Sequence, residues 1–310
     1  MLREDTESCV IDPSVQSTGL RDVELPGCTR LGLNGLAKTR IVGIPFQLGT
    51  TSYIYPADVL PNVERLAGLV DDIELVFYEV TALSPLPDAE TLAALHAISV
   101  AHNMSFTVHL PLNLSLASGD LIIRESSLEL AKRVITAACV LDPWGYIIHV
   151  EHGAVWPGSW DQWERLAGAA LSQLVQYVGD GALLCLENTE SVPPELVFAV
   201  AKRLRTSVCL DIGHLFKTAR NPLPYLEQVF PRVRVVHLHG WDGKNDHRSL
   251  DVMADRELRS VVEWLYRSAY AGVVTLEVFN EWDWLSSIAC LAQLLETEVS
   301  DGTDEWDGTR

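Results

Sequence analysis

Short continuous runs of apolar residues recur along the chain from residue 40 onward. Runs of this kind are typical of strands that are covered on both faces, as in a parallel sheet with helices on either side. They predict eight strands, at residues 41–45, 73–80, 106–110, 146–150, 183–186, 208–210, 233–238 and 273–278.

Longer amphipathic stretches separate the predicted strands and carry helix signals. Ser126 and Glu129 are spaced as a capping box, which predicts a helix that begins near Ser126. An apolar stripe follows at helical spacing, formed by Leu128, Ala131, Ile135 and Ala138. Pro193 and Pro194 predict the start of another helix.

Strands that alternate with helices predict a parallel α/β sheet, and eight of them favour closure into a (β/α)8 TIM barrel. An open, doubly wound sheet is the alternative. We expect one catalytic barrel over residues 40–297. Residues 1–39 lack a sustained period and are expected to be extended or disordered, and residues 298–310 are expected to form an acidic tail.

Composition supports a globular protein. The chain has 310 residues, of which 48% are hydrophobic and 21% are charged. Apolar runs stay shorter than the roughly 18 residues of a membrane span, which predicts a soluble protein without a membrane partner. The first residues do not read as a secretory signal, so a cytoplasmic location is expected. The six cysteines form no Cys-x-x-Cys pair and are expected to be reduced, mostly buried thiols.

The formal net charge of −19 bears on the partners of the protein. Proteins that bind nucleic acid usually need a basic face to displace the counterions around phosphates, so a nucleic-acid partner is not expected. A single small phosphate can still be bound, because metal ions reverse the local sign of the field inside an acidic protein. The sequence gives no sign of an obligate protein partner.

Six consecutive predicted strands end in histidine or acidic residues. These candidate metal ligands are His109, His149, Glu187, Asp211, His214, His237, His247 and Glu277. Because the carboxyl ends of barrel strands converge on one rim, separate strands can place ligands around one shared centre. Imidazole and carboxylate together suit Zn, Mn or Fe. His152 and His239 are weaker candidates, because alternation along a strand can point them away from the centre, and they are expected to support the ligands.

These residues resemble the xylose-isomerase-like barrel superfamily, and within it the phosphodiester hydrolases of the endonuclease IV type. The resemblance extends over most of residues 40–297 and implies a multinuclear metal site formed by the same eight candidate ligands. One departure is visible where that family has Asp-x-His. This chain has Asn245-Asp246-His247, so the carboxylate is shifted by one residue and the third metal position stays open.

A closer resemblance is carried by residues 49–58, 70–75 and 109–112. These segments are similar to the cobamide-remodelling phosphodiesterases, which share the fold of the endonucleases but act on B12-type cofactors. The resemblance implies a cobamide substrate such as adenosylcobalamin, with removal of its lower nucleotide ligand to leave a cobinamide. Composition and spacing do not indicate that substrate by themselves.

Aromatic and basic residues on the predicted rim are candidates for binding the cobamide. Trp156, Trp160 and Trp163 follow the fourth strand and could stack on a corrin or a benzimidazole, or could equally pack a helix at their helical spacing. Trp241 follows the seventh strand. The neighbouring basic residues could meet phosphate or propionamide groups, although loop cations are commonly solvated; they are Lys217, Arg220, Lys244 and Arg248. Of the whole set we select Trp156, Trp241, Lys244 and Arg248.

The expected reaction is phosphodiester hydrolysis assisted by at least two divalent ions, zinc or alternatively manganese. The catalytic residues would be Glu187, which bridges metals, Glu277, which positions or deprotonates the water, and Asp211. A sugar isomerase or epimerase of the same superfamily is an alternative that needs one metal, held by Glu187, Asp211, His237 and Glu277. An abasic-site endonuclease and a corrinoid-binding protein without catalysis are the others. The epimerase leaves His109, His149, His214 and His247 unexplained.

Overall fold

The structure is a computed structural model, and it describes residues 43–77, 80, 86–253 and 256–301, with side chains as far as Glu296. The predicted lead-in at residues 1–39 lies outside the described residues, as do residues 302–310 of the predicted tail.

Eight parallel strands close into a barrel in sequence order, with the first strand paired to both the second and the last. We number them β1 to β8: Gln47–Thr51, Asp72–Val76, Ser105–His109, Gly145–His149, Leu184–Glu187, Ser207–Asp211, Val233–Leu238 and Val273–Leu276. The (β/α)8 TIM barrel predicted from the sequence is confirmed, and the doubly wound sheet is excluded.

Helices connect successive strands and cover the barrel. Those in the described part of the chain are α1 to α9: Val59–Leu66, Ala89–His102, Leu121–Ala138, Trp160–Val178, Pro194–Leu204, Ile212–Lys217, Pro222–Val229, Arg256–Arg267 and Glu281–Asp301. Helix α5 begins at Pro194, as predicted. Helix α9 continues to Asp301, so its last turn extends into the stretch expected to be tail. None of the described helices is long and apolar enough to cross a membrane.

The first strand lies later than its predicted position at residues 41–45. Its pairing with β2 and β8 sets it at Gln47–Thr51, where Leu48 is the single large apolar residue. The buried Thr50 and Thr51 hydroxyls instead donate hydrogen bonds to carbonyl groups of Leu276 and Val278, at 3.1 and 2.7 Å. A search for runs of apolar residues misses this strand, because it is buried through threonines whose hydroxyl groups form hydrogen bonds.

The start of α3 was also predicted wrongly. The helix begins at Leu121, and its N-cap is Asp120, whose carboxylate accepts hydrogen bonds from the amides of Ile122 and Ile123. Ser126 lies within the helix, so no capping box forms there. Leu121 and Ile122 are 56% and 74% exposed, so the first turn of the helix does not follow an amphipathic pattern of buried apolar residues. The predicted stripe of Leu128, Ala131, Ile135 and Ala138 is buried, as expected.

A plug of apolar side chains fills the lower interior of the barrel. Its members are Ile147, Cys185, Cys209, Val235 and Val273, and all are fully buried. On four of these five strands, the side chain two residues further along is a predicted metal ligand. Because alternate residues of a strand share a face, the plug and the ligands point into the same interior, with the ligands nearer the carboxyl end. The four described cysteines are free, and three of them are buried.

Candidate metal centre

All eight predicted ligands gather in one cluster at the carboxyl end of the barrel, six of them on or directly after strands, His214 in α6 and His247 in the loop after β7. Six of them are buried: His109, Glu187, Asp211, His214, His237 and Glu277. His149 and His247 are partly exposed at the opening of the cluster. The predicted convergence of separate strands on one centre is therefore present in the structure.

One group of ligand atoms is formed by His109, His149 and Glu187. Oε2 of Glu187 lies 3.1 Å from Nε2 of His109 and 3.2 Å from Nε2 of His149. The Nδ1 of His109 donates to the carbonyl of Leu110 at 2.8 Å, so the other ring nitrogen, Nε2, is the one that faces Glu187: it donates to that carboxylate when protonated and would offer its lone pair to a cation when the ring is neutral. A divalent ion fits among these atoms, because two imidazoles and a carboxylate form a common zinc donor set.

A second group is formed by Glu187, Asp211, His237 and Glu277. The Nδ1 of His237 lies 3.0 Å from Oε2 of Glu277, 3.5 Å from Oδ2 of Asp211 and 3.6 Å from Oε1 of Glu187. Three carboxylates and one imidazole converge here, and no lysine or arginine of the described residues is paired with them. Such an arrangement is costly unless a cation compensates the charge.

The two oxygens of Glu187 face different groups: Oε2 faces His109 and His149, and Oε1 faces His237. Several buried polar atoms around this carboxylate lack a hydrogen-bond partner, namely Nε2 of His149, Oε1 of Glu187, Oδ2 of Asp211, Nδ1 of His237 and Oε2 of Glu277. Buried polar atoms are rarely left unpaired. These atoms belong to predicted ligands, and Oε1 of Glu74 and Nε2 of His239 are unpaired as well, so the residues present fit a centre for divalent cations.

Asn188 holds two ligands in place. Its side-chain amide donates to the carbonyl of Asp211 at 2.9 Å, and its side-chain oxygen accepts from the Asp211 amide at 3.0 Å. Its backbone carbonyl accepts from Nδ1 of His214 at 3.0 Å, so the other ring nitrogen, Nε2, is the one that can bind a metal ion. The Asp211 carboxylate in turn accepts from the His214 amide at 2.6 Å and caps α6. Asn188 and the start of α6 together therefore hold Asp211 and His214 in fixed positions.

A third group of ligand atoms is formed by His214, His239 and His247. The backbone amide of His247 donates to Nδ1 of His239 at 3.1 Å, which leaves the proton of a neutral ring on Nε2, 3.3 Å from Oδ1 of Asp211. In this arrangement Nε2 of His239 faces Asp211 with a proton and not a lone pair, and it forms no hydrogen bond among the described residues. The ring also lies against Gly213, where any Cβ would overlap it.

Asp246, the shifted carboxylate of the third position, is engaged elsewhere. Lys217 contacts both Asp246 and Glu190, and its ammonium group lies 5.6 Å above the ring of Trp241. The ammonium group pairs with these two carboxylates, which lie beside His214 and His247 in the sequence or in space. The third position therefore has two free imidazoles and no uncommitted carboxylate among the described residues.

One buried acidic residue was missed by the sequence reasoning. Glu74 of β2 is fully buried, and its Oε2 lies 2.9 Å from Nε2 of His237. It occurs inside an apolar run, within a segment that carries the family resemblance, and was not among the candidate ligands. Two acidic residues at positions i and i+2 of a buried strand, Asp72 and Glu74, were the available signal, since both face the barrel interior.

The histidines compensate the buried carboxylates when no cation is bound. Burial alone would lower the pKa of His109, but the Glu187 carboxylate raises it to about 9. Burial likewise opposes the charge on His214, while Asp211 and Glu187 raise its pKa to about 9. Burial would raise the pKa of Glu187, whereas His149 and His237 hold it well below its usual value. A metal ion that bound here would therefore displace protons from the histidines.

A cavity of about 470 Å³ opens onto the cluster, and its walls include His109, His149, Glu187, His214, His247 and Glu277. Polar side chains from the loops after β4 and β5 complete the walls, among them Glu151, Thr189 and Ser191. A larger cavity of about 910 Å³ lies near the amino ends of the strands, beside Gln47 and Ser105. The candidate metal ligands line the smaller cavity, and we therefore place the reaction there.

The four selected binding residues lie around the rim and outside the walls of this cavity. Trp156 is 41% exposed and packs edge to face between His152 and Trp160. Trp163 is fully buried and donates to the carbonyl of Val150, so it packs the barrel wall.

The remaining selected residues follow β7. Trp241 is half-buried beneath Lys217, and Lys244 is exposed in a turn capped by Asp242. Arg248 pairs with Asp283 at 3.2 Å. Its guanidinium is therefore partly neutralised before any ligand arrives.

Known proteins resemble the chain in sequence and in structure. An uncharacterised protein of Methanocaldococcus jannaschii is 25% identical over 273 residues, which cover 82% of this chain and 90% of that protein. A D-tagatose 3-epimerase-like protein superposes with a TM-score of 0.70 at 22% identity, over 83% of this chain and 100% of its own. Endonuclease IV from Thermus thermophilus superposes with a TM-score of 0.60 at 18% identity, over 81% and 99%.

Similarity at these identities shows the fold alone, and both an epimerase-like protein and an endonuclease share it. The assignment to a family comes from the sequence, because residues 65–297 match the family described as the xylose isomerase-like TIM barrel. This match covers well over half of the chain, and the protein therefore belongs to the xylose isomerase-like TIM barrel family.

Proposed function

We propose that the protein is a metal-dependent phosphodiester hydrolase that acts on cobamides and uses at least two divalent ions, preferably zinc. The observation that carries this proposal is the position of Glu187, whose two oxygens face two separate ligand groups. A carboxylate that bridges two ions is typical of sites that cleave phosphate esters, where paired cations bind the phosphate and stabilise the leaving oxygen.

The surrounding residues define the remaining roles. Glu277 lies at the wall of the cavity, with its Oε2 close to His237, and can position and deprotonate the attacking water. Asp211 holds its place through Asn188 and the His214 amide, so its free oxygen can serve the second ion. Glu151 is held by Thr189 and Ser191 at the same wall and can accept a hydrogen bond from the substrate.

The substrate class rests on the resemblance of residues 49–58, 70–75 and 109–112 to cobamide-remodelling phosphodiesterases. The half-exposed rings of Trp156 and Trp160 support it, because a broad planar substrate can stack on aromatic faces at the rim. The formal net charge of −19 favours a small phosphodiester over a nucleic acid. Lys244 is exposed on the same rim and is a candidate contact for the substrate.

An epimerase of the same family is the second candidate. It is favoured by the four-residue group of Glu187, Asp211, His237 and Glu277, which can hold one ion without the remaining histidines. That interpretation leaves His109 and His149 without a role, although both converge on Glu187. The number of bound ions therefore distinguishes the two candidates.

The direct test is to incubate the zinc-loaded protein with adenosylcobalamin and to follow the corrin spectrum, which changes when the axial base is lost. We expect a base-free cobinamide product and no reaction after chelation. Ketohexoses and a duplex with an abasic site are assayed in parallel. Survival of the cobamide together with turnover of a sugar or of the abasic duplex would replace this proposal.

A further inference from the structure

We propose that Glu74 is a positioning residue of the metal centre, which fixes the imidazole of His237 so that its Nδ1 faces the second ion. This inference rests on the metal centre of the proposed function but does not depend on the substrate. Glu74 differs from the eight predicted ligands because it approaches the centre from below, through a ligand, and from the far side of the barrel.

The contact between Glu74 and His237 crosses the barrel interior. Glu74 lies on β2 and His237 on β7, and these strands are not neighbours in the sheet. Oε2 of Glu74 lies 2.9 Å from Nε2 of His237, and both side chains are completely buried. A charged group at such a depth is retained only with a compensating partner.

This hydrogen bond sets the tautomer of His237. A neutral imidazole that donates through Nε2 carries its lone pair on Nδ1. The Nδ1 of His237 has no hydrogen-bond partner and faces oxygens of Glu277, Asp211 and Glu187. The lone pair therefore points at the position where a cation would be shared by these three carboxylates, as in carboxylate–histidine–metal triads.

Charge balance gives a second reason. Glu74 adds a fourth fully buried carboxylate to those of Glu187, Asp211 and Glu277. Four such groups match the charge of two divalent ions, whereas one ion would leave half of the charge without compensation. The second oxygen of Glu74 is buried without a hydrogen-bond partner. Glu74 also offers a carboxylate oxygen within reach of ligand atoms of His109 and Glu277. Glu74 thus faces both halves of the centre.

Asp72 provides a matched control on the same strand. It is also fully buried and faces the interior, but its oxygens accept from Ser105 and Thr107 at 2.6 and 2.8 Å. Its partners are hydroxyl groups that satisfy it without a cation. A general effect of removing a buried charge from β2 should therefore appear in Asp72→Asn as well as in a Glu74 variant.

The experiment measures Zn²⁺ affinity of the full chain by competition with a chromophoric chelator, for Glu74→Met, Glu74→Gln and Asp72→Asn. Circular dichroism establishes that each variant is folded. We expect Glu74→Met to lower the affinity for one of the two Zn²⁺ equivalents roughly 10–100-fold and to leave the affinity for the other nearly unchanged. Glu74→Gln should weaken the same equivalent less, because its amide oxygen still accepts from Nε2. Asp72→Asn should bind both as the wild type does.

Wild-type affinity for both equivalents in Glu74→Gln and Glu74→Met would overturn the inference, and Glu74→Gln decides alone if Glu74→Met does not fold. Equal losses in Asp72→Asn and the Glu74 variants would also overturn it. Fewer than two equivalents in the wild type would remove the metal centre itself. Two equivalents and the expected Glu74 loss, without hydrolysis of adenosylcobalamin, would refute the substrate while upholding the role of Glu74.

Discussion

Two layers of the barrel interior treat buried polar groups in opposite ways. In the lower layer, Asp72 has hydroxyl partners for both oxygens, and an apolar plug fills the remaining space. In the upper layer, carboxylates and imidazoles crowd together with several atoms unpaired. The same strands supply both layers, and Asp72 and Glu74 stand two residues apart on β2. The lower layer is complete without a cation, whereas the upper layer is not.

The difference indicates which buried polar groups have all their partners within the fold and which are reserved for chemistry. A group whose hydrogen bonds are all made by neighbouring side chains can be neutralised with a modest effect. A group whose atoms are left unpaired must be completed from outside the chain, so its removal should affect binding and reaction before it affects folding. Substitution or metal removal can change one layer at a time.

The largest effect is expected for Glu187→Gln in the upper layer. The amide keeps the shape of the side chain but loses the charge that two ligand groups share, so bridging fails. We expect a loss of several kcal/mol in transition-state stabilisation, roughly a thousandfold or more in rate, with an unchanged circular dichroism spectrum. Initial rates on adenosylcobalamin measure this loss.

Glu195→Gln is the matched control, because Glu195 pairs with Arg220 at the exposed start of α5. It should retain the wild-type rate. Near-normal turnover by Glu187→Gln would remove Glu187 from the centre.

Metal removal should have the next largest effect, on stability. Ions bound a thousandfold above their dissociation constants stabilise the folded state by roughly 4 kcal/mol each. For a chain of this size that corresponds to a fall in Tm on the order of 10 °C after dialysis against a chelator. Calorimetric scans of the loaded and stripped protein measure it. Equal Tm values would mean that protonated histidines compensate the upper layer as well as metal does.

The smallest effect is expected for Asp72→Asn in the lower layer, and it depends on pH. Burial raises the pKa of Asp72 from 3.8 to about 6. A raised carboxyl pKa means that the charged form destabilises the fold, so the penalty is absent below about pH 4 and complete above about pH 6. The variant should therefore match the wild type at pH 4 and exceed it by at most about 3 kcal/mol at pH 8.

Urea unfolding of the variant and the wild type at both pH values measures this difference. A variant that is less stable than the wild type at pH 8 would contradict it, and would mean that the hydrogen bonds from Ser105 and Thr107 need the carboxylate.

The sequence predicted the upper layer better than its surroundings. Ligands such as His149 and Glu187 end apolar runs, so their position at the strand ends could be read directly. The position of β1 could not be read in this way, because the Thr50 and Thr51 hydroxyls donate to the neighbouring strand β8 and to the residues that follow it, more than two hundred positions away in the sequence. The start of α3 was missed since its first turn exposes apolar side chains.

Within the centre, tertiary contacts were the part that the sequence did not reveal. Glu74 reads as a polar interruption of a strand until the closed barrel brings it to His237. The tautomer of His239 depends on a backbone amide eight residues later, and the engagement of Asp246 depends on a lysine of α6. Each of these contacts joins residues that are brought together only when the barrel and its loops have folded. The pattern of residue types along the chain does not specify them.

The close approach of His239 to Gly213 has a consequence for the evolution of such barrels. Any side chain at position 213 would occupy the space of the imidazole ring, since a Cβ there would overlap the ring atoms. The two positions should therefore vary together: relatives with alanine or serine at 213 should lack a ring at 239. If many relatives had a side chain at position 213 together with a ring at position 239, the turn between β6 and α6 would have to shift to make room.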